Sequence, residues 1–96
     1  MKTLDMQKRI MKFKRDKGFA CDINSLPVQF CLLNREVSEA WEAWYQGDTD
    51  AIPYELADIA IYLMSIASIL DIDLGKAIEE KMTINEQRQW KNHKKI

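Results

Sequence analysis

Two pairs of acids in the middle of this chain stand three residues apart: Glu36 with Glu39, and Glu55 with Asp58. In a helix that spacing puts both carboxylates of a pair on one face. On a wheel zeroed at Glu55, Asp58 falls at about 300° and Ile59, Tyr62, Leu63 and Ile66 between about 340° and 80°. Both acids of the second pair therefore point along an apolar stripe. An ionised carboxylate there protonates or takes a cation. On the preceding segment, zeroed at Leu26, the stripe Phe30, Leu33, Val37, Trp41 and Trp44 lies within about 60° of zero. Glu36 falls at about 280°, Glu39 at about 220° and Arg35 at about 180°. Glu36 thus borders the stripe, and Arg35 is expected to point away as a poor partner for it. From Gly18 to Gly75 there is no other basic residue. Oxygen-only ligands at this density suit Mg²⁺ or Mn²⁺. A single acid pair is commonplace in helices, as a solvated face or with one protonated member. The two pairs together favour a metal.

Other chemistries lack their residues. The sole histidine is His93, which excludes a di-iron bundle, a zinc site and a Ser–His or Cys–His nucleophile. Cys21 and Cys31 form neither a disulfide scaffold nor a CxxC pair. No glycine-rich loop cradles phosphate, so anion contacts must come from side chains. Lys81, Asn85 and Arg88 recur at i, i+4 and i+7 on the line of Leu74, Ala77 and Ile78. A Lys–Asn–Arg row suits anionic oxygens, the arginine gripping bidentately. By itself the row also reads as basic residues complementing a helix C-terminus. Phe13 and Trp41 are candidates for stacking on a base, although aromatics at helical spacing commonly fill cores.

These residues need helices to hold them. The chain has 96 residues, enough for one domain, with Gly 3 and Pro 2, a composition that favours long helices over turn-rich β structure. Four helical stretches fit the periodicity: residues 4–17, 25–46, 53–70 and 74–90, followed by a polar tail at 91–96. Gly18 and Gly47 stop the first two, Ser25 and Asp73 are N-cap candidates, and Pro27 and Pro53 sit in first turns. Short connections imply antiparallel neighbours, hence an all-α bundle of about four helices. A core this small invites a partner subunit. The third helix is apolar nearly all round and is expected to be buried on more than one side. Net charge is −1, with an acidic middle between basic ends. The most apolar stretch, 59–70, falls short of the roughly 18 residues that suggest a membrane span, so a cytoplasmic protein with no membrane partner is expected.

Taken in order, Glu36-Val37-Ser38-Glu39-Ala40-Trp41-Glu42-Ala43, Glu55-Leu56-Ala57-Asp58-Ile59 and Lys81…Asn85…Arg88 resemble the MazG-like nucleotide pyrophosphohydrolases of the all-α NTP pyrophosphatase superfamily. The resemblance runs from about Lys17 to Arg88 and includes the linker Ile72-Asp73-Leu74. It implies a single MazG-like domain with Mg²⁺ on Glu36, Glu39, Glu55 and Asp58, Mn²⁺ as a substitute, and phosphates on Lys81, Asn85 and Arg88. It further implies cleavage of a nucleoside triphosphate to monophosphate and pyrophosphate, with Glu36 or Glu39 taking the proton of the attacking water, in a homodimer or homotetramer. The family pattern is EExxE followed by ExxD, and here Arg35 replaces the leading glutamate. Two alternatives stand beside this reading: a non-catalytic helical oligomerising or regulatory module, and an enzyme like phosphoribosyl-ATP pyrophosphohydrolase. Nucleic-acid binding has only the basic ends in its favour.

Overall fold

The computed structural model describes residues 2–89. Four α-helices follow one another: α1 (Thr3–Asp16), α2 (Leu26–Tyr45), α3 (Ile52–Ile69) and α4 (Leu74–Gln87), with one 3₁₀ turn, Ile23–Ser25, before α2. No strand occurs among the described residues. Expected to run to residue 90, the fourth helix stops at Gln87, with Arg88 extended at its C-cap; the tail 91–96 lies outside the described residues.

Local chemistry sets the helix ends. Gly18 and Gly47 adopt φ of +79° and +74°. This left-handed conformation lets Phe19 N–H reach back to Lys14 O at 2.8 Å and Asp48 N–H to Ala43 O at 2.9 Å. At the end of α3 the same geometry falls on Asp71, φ 57°, with Ile72 N–H donating to Ala67 O at 2.8 Å. Asp73 caps α4 by accepting from Lys76 N–H at 3.1 Å. Ser25, expected to cap α2, makes no such bond. Asp22 accepts from Ser25 N–H instead, at 3.1 Å, and caps the 3₁₀ turn. The Ser25 hydroxyl donates to Asp22 O and accepts from Gln29 Nε2.

The helices α2 and α3 run antiparallel, so the start of one meets the end of the other, as the Ser65 Oγ to Gln29 Oε1 hydrogen bond at 2.9 Å shows. Along α3 packs α1, and α4 lies chiefly on α1. Buried Gln7 ties that last joint: its Oε1 accepts from Leu74 N–H at 2.9 Å, and its Nε2 donates to Ile72 O at 2.8 Å and Ser68 Oγ at 3.2 Å. The approach is close, since a Cβ at Gly75 would stand 2.9 Å from Thr3 Cβ.

Which faces turn inward differs from the expectation. On α2 the buried residues are Gln29, Glu36 and Ala43, a line stepping by seven. The apolar stripe expected to be buried is left outside, with Phe30, Val37, Trp41 and Trp44 all exposed. On α3 only Ser65, Ile66 and Ala67 are buried, while Leu56, Ile61 and Leu63 are exposed. The three buried residues are consecutive and span about 200° of the helix, so the last part of α3 is buried on more than one side, between α1 and α2, as expected, while its earlier turns keep an exposed side. The helix is also long and apolar enough, by length and composition, to cross a membrane, a longer apolar element than residues 59–70 alone suggest. Yet it packs on α1 and α2 and carries Glu55 and Asp58 in its first two turns.

Candidate metal centre

In the antiparallel register the middle of α2 faces the first turns of α3. Glu36, buried, and Glu39, half-buried, come from α2, and half-buried Glu55 comes from α3. One carboxylate oxygen from each lies within 4.8 Å of the others. Glu36, Glu39 and Glu55 would be the residues to hold a divalent cation there, all through oxygen donors. Glu36 Oε2 and Glu55 Oε2 are buried with no hydrogen-bond partner. Buried acceptors are normally satisfied because an orphan costs its desolvation. Two orphaned carboxylate oxygens beside a third acid fit a divalent cation.

Electrostatics carry the same message. Burial raises the Glu36 pKa above the ordinary glutamate value, reinforced by a hydrogen bond to Glu39, by the charge of Glu39 and by that of Asp58, against a lowering from Arg35. Without a cation Glu36 therefore holds its proton more tightly than an isolated glutamate does. Asp58 acts on Glu36 through its charge but is itself exposed, not aimed along a buried stripe as the wheel suggests.

Arg35 corrects another expectation. Its Nη2 lies 3.8 Å from Glu36 Oε1 and its Nε 3.7 Å from Glu39 Oε1. The long side chain bends back over the helix to neutralise the acids that its backbone direction faces away from. At these lengths the contacts are ion pairs rather than hydrogen bonds, and the arginine side chain is 60% exposed. It offsets part of the negative charge without satisfying the orphaned oxygens.

Two helical turns from the acids, between α1, the 3₁₀ turn, α2 and α3, lies a cavity of about 570 Å³. Phe13, Phe19 and Tyr62 line it, with Lys14, Asp22, Asn24, Ser25, Gln29 and Ser65 as its polar residues. Phe13 stacks on Phe19, centroids 6.1 Å apart. The second aromatic candidate, Trp41, is 58% exposed and packs on Trp44 and Tyr45 at 5.3 and 5.8 Å, away from the residues lining this cavity. Of the phosphate candidates, Lys81 and Arg88 are exposed and Asn85 is half-buried. Lys81 and Asn85 stand on α4, but Arg88 is its C-cap with extended backbone (φ −80°, ψ 140°), so the expected helical row breaks there. The main packing partner of α4 is α1, whereas the acids lie between α2 and α3. The network of Lys14, Gln29 and Ser65 escaped the motif reading. Its one sequence signal is the seven-residue step from Gln29 to Glu36 to Ala43.

Parts of the chain are similar to curated nucleotide-cleaving enzymes. Over 36 residues it is 50% identical to a dATP/dGTP diphosphohydrolase of Salmonella phage PMBT28, covering 38% of this chain and 12% of the relative. Over 47 residues it is 38% identical to dCTP pyrophosphatase 1 of Rattus norvegicus, covering 49% and 28%. Over 38 residues it is 40% identical to a dATP/dGTP diphosphohydrolase of Cyanophage S-2L, covering 40% and 36%. The matches thus span little more than a third of these relatives' lengths at most. No protein-family model matches the chain, and no solved structure matches it. An all-α fold, a three-glutamate cluster that can hold a divalent metal and local similarity to enzymes of this kind together support a metal-assisted hydrolase.

Proposed function

We propose that this chain is a Mg²⁺-dependent nucleoside triphosphate pyrophosphohydrolase of the MazG-like kind, within the all-α NTP pyrophosphatase superfamily, converting an NTP or dNTP to the monophosphate and pyrophosphate. The observation that carries the reading is the pair of buried, unpartnered oxygens on Glu36 and Glu55, brought together from two helices beside Glu39. Glu36, Glu39 and Glu55 would hold the metal, with Asp58 adding its charge at the exposed side. When bound, Mg²⁺ supplies charge neutralisation of the phosphate chain and a lowered pKa for water. Mn²⁺, which favours the same oxygen donors, is a substitute.

Glu36 or Glu39 takes the proton of the water that attacks the α-phosphorus. Lys81, Asn85 and Arg88 are the proposed phosphate contacts. The aromatic cavity further along the α2–α3 groove takes the base. The exposed stripe of Phe30, Val37, Trp41 and Trp44 suits burial in a homodimer or homotetramer.

A second reading has its own observation. Arg35 lies within 4 Å of two of the three clustered acids, so the guanidinium could serve as an internal cation in a non-catalytic module. One experiment separates the two. The protein is incubated with Mg²⁺ and a panel of NTPs and dNTPs, and the products are resolved by chromatography. Monophosphate plus pyrophosphate, abolished by EDTA and by Glu39→Gln, is the expected result. Diphosphate plus phosphate contradicts attack at the α-phosphorus. A folded protein that turns over no nucleotide and whose melting ignores Mg²⁺ supports the non-catalytic module.

A further inference from the structure

Beside Asn24 and Ser25 of the 3₁₀ turn, the cavity is lined by a network of Lys14, Gln29 and Ser65. Half-buried Lys14 sends its ammonium to Gln29 Oε1 at 3.1 Å and Ser65 Oγ at 2.8 Å. Ser65 Oγ also donates to Gln29 Oε1, at 2.9 Å. The other end of the Gln29 amide donates to Ser25 Oγ at 2.9 Å. Both ends of the amide are therefore committed, and it cannot turn to offer its oxygen to a ligand. An ammonium has three N–H groups and no acceptor. Two of those of Lys14 are used, and the third has no hydrogen-bond acceptor among the described residues. Asp22 is the acid of the lining, but its carboxylate caps the 3₁₀ turn and forms no ion pair with Lys14. Burial lowers the Lys14 pKa, against a smaller raising from Cys21.

The walls are aromatic. Phe13 and Phe19 stack at 30° to one another, and the Lys14 nitrogen stands 6.0 Å from the centroid of Tyr62 on the facing helix. A flat, polarisable ligand with an acceptor at its edge complements both features. Gln29 and Glu36 are separated by about 10 Å along α2, a gap for a sugar to bridge between base and phosphates.

We infer that Lys14, held by Gln29 and Ser65, is a specificity-determining residue that donates to the carbonyl at the purine 6 or pyrimidine 4 position and makes this cavity select keto bases, those of guanine, uracil or thymine type, over the amino bases adenine and cytosine. This rests on the base-binding role of the cavity proposed above. An exocyclic amino group in the carbonyl's place would bring donor against donor and leave the ammonium unpaired, the arrangement from which hydrogen-bonding sites gain their discrimination.

Nucleosides, which carry no phosphate and need no metal, test the cavity separately from hydrolysis. The fluorescence of 2-aminopurine deoxyriboside, quenched on stacking, reports occupancy. Deoxyguanosine is competed against deoxyadenosine, and deoxyuridine against deoxycytidine. The keto member of each pair should displace the probe at concentrations at least about tenfold lower. Lys14→Met should bring each ratio to near one while melting stays cooperative, and Lys14→Arg, which keeps a donor, should preserve the preference. Equal or stronger competition by the amino nucleosides, no displacement by any nucleoside, or a ratio that survives in Lys14→Met overturns the inference. The wild-type ratios decide the matter should Lys14→Met fail to fold. Keto selectivity without hydrolysis of any nucleotide would leave this inference standing and remove the proposed reaction. Hydrolysis without selectivity would do the reverse.

Discussion

At the scale of single residues, Glu36 is a liability that a cation would convert into an asset. Its folded-state pKa is raised by burial and by Glu39 and Asp58, so between the unfolded and folded values the native state binds more protons than the unfolded one. Stability must then fall as pH rises through that window. Metal-free protein is expected to melt at lower temperature at pH 8 than at pH 5.5, and saturating Mg²⁺ should flatten that slope by binding the ionised form. Melting curves across pH with and without Mg²⁺ check this. Glu36→Gln should raise the metal-free stability by roughly 1 kcal/mol, a few degrees in Tm for a domain of this size, and remove the response to Mg²⁺. A lower metal-free Tm in the variant would count against the repulsive cluster. Arg35 belongs to the same balance. Because its ion pairs are long and its side chain exposed, Arg35→Gln should cost less than about 1 kcal/mol without metal and tighten Mg²⁺ up to about fivefold, measurable by calorimetric titration.

At the scale of elements, the joints between helices hold the testable weak points. The placement of α4 depends on Gln7, whose amide makes three hydrogen bonds to the α3–α4 connection. Gln7→Ala leaves Leu74 N–H and Ile72 O without that partner and should cost about 2–3 kcal/mol, with amide exchange rising first at the start of α4. Unchanged exchange there would mean that other contacts seat the helix. Asp71 occupies the left-handed conformation that glycine fills at the ends of α1 and α2. Asp71→Gly should therefore stabilise by up to about 1 kcal/mol, read from denaturant midpoints at constant slope. The glycine stops and the Asp73 cap were legible because such geometry is written in a few consecutive residues. Asp71 was not, since an aspartate in that conformation carries no glycine-like signature. The Ser25 cap was misread because its hydroxyl donates to Asp22 O and accepts from Gln29 Nε2 instead of a first-turn N–H of α2.

At the scale of the whole molecule, the question is what covers the aromatic side of α2. Within one chain, α3 faces the line Gln29–Glu36–Ala43, with Lys14 of α1 reaching Gln29 at its start, leaving Trp41, Trp44 and Tyr45 58%, 63% and 75% exposed. The described apolar residues that are fully buried are few: Ile10, Ala43, Ile66 and Ala67. Such a core would be marginal for a chain of this length. The purified protein is expected to sediment as a dimer or larger. Trp44→Glu should shift it toward monomer and lower Tm in a concentration-dependent way. A wild-type monomer with a high, concentration-independent Tm would show that the stripe has no self-partner.

The sequence by itself determined the helical class, the helix ends set by glycine and the Asp73 cap, and the pairing of Glu36 with Glu39 and Glu55 with Asp58, because periodicity and i,i+3 spacing act within one helix. Tertiary structure alone decided which side of each helix turns inward. An apolar stripe demands burial but does not say against what, and here the chain buries the glutamate side of α2 and leaves the tryptophan side outside. It also decided that Glu36 and Glu55 share a site with Glu39 while Asp58 remains exposed, and that Arg35 folds back onto the acids. The network of Lys14, Gln29 and Ser65 comes from three separate helices, and no local rule connects residues 15 and 36 positions apart. Only the antiparallel packing of α2 on α3, with α1 laid along them, brings that ammonium to the end of an aromatic cavity beside a cluster of acids.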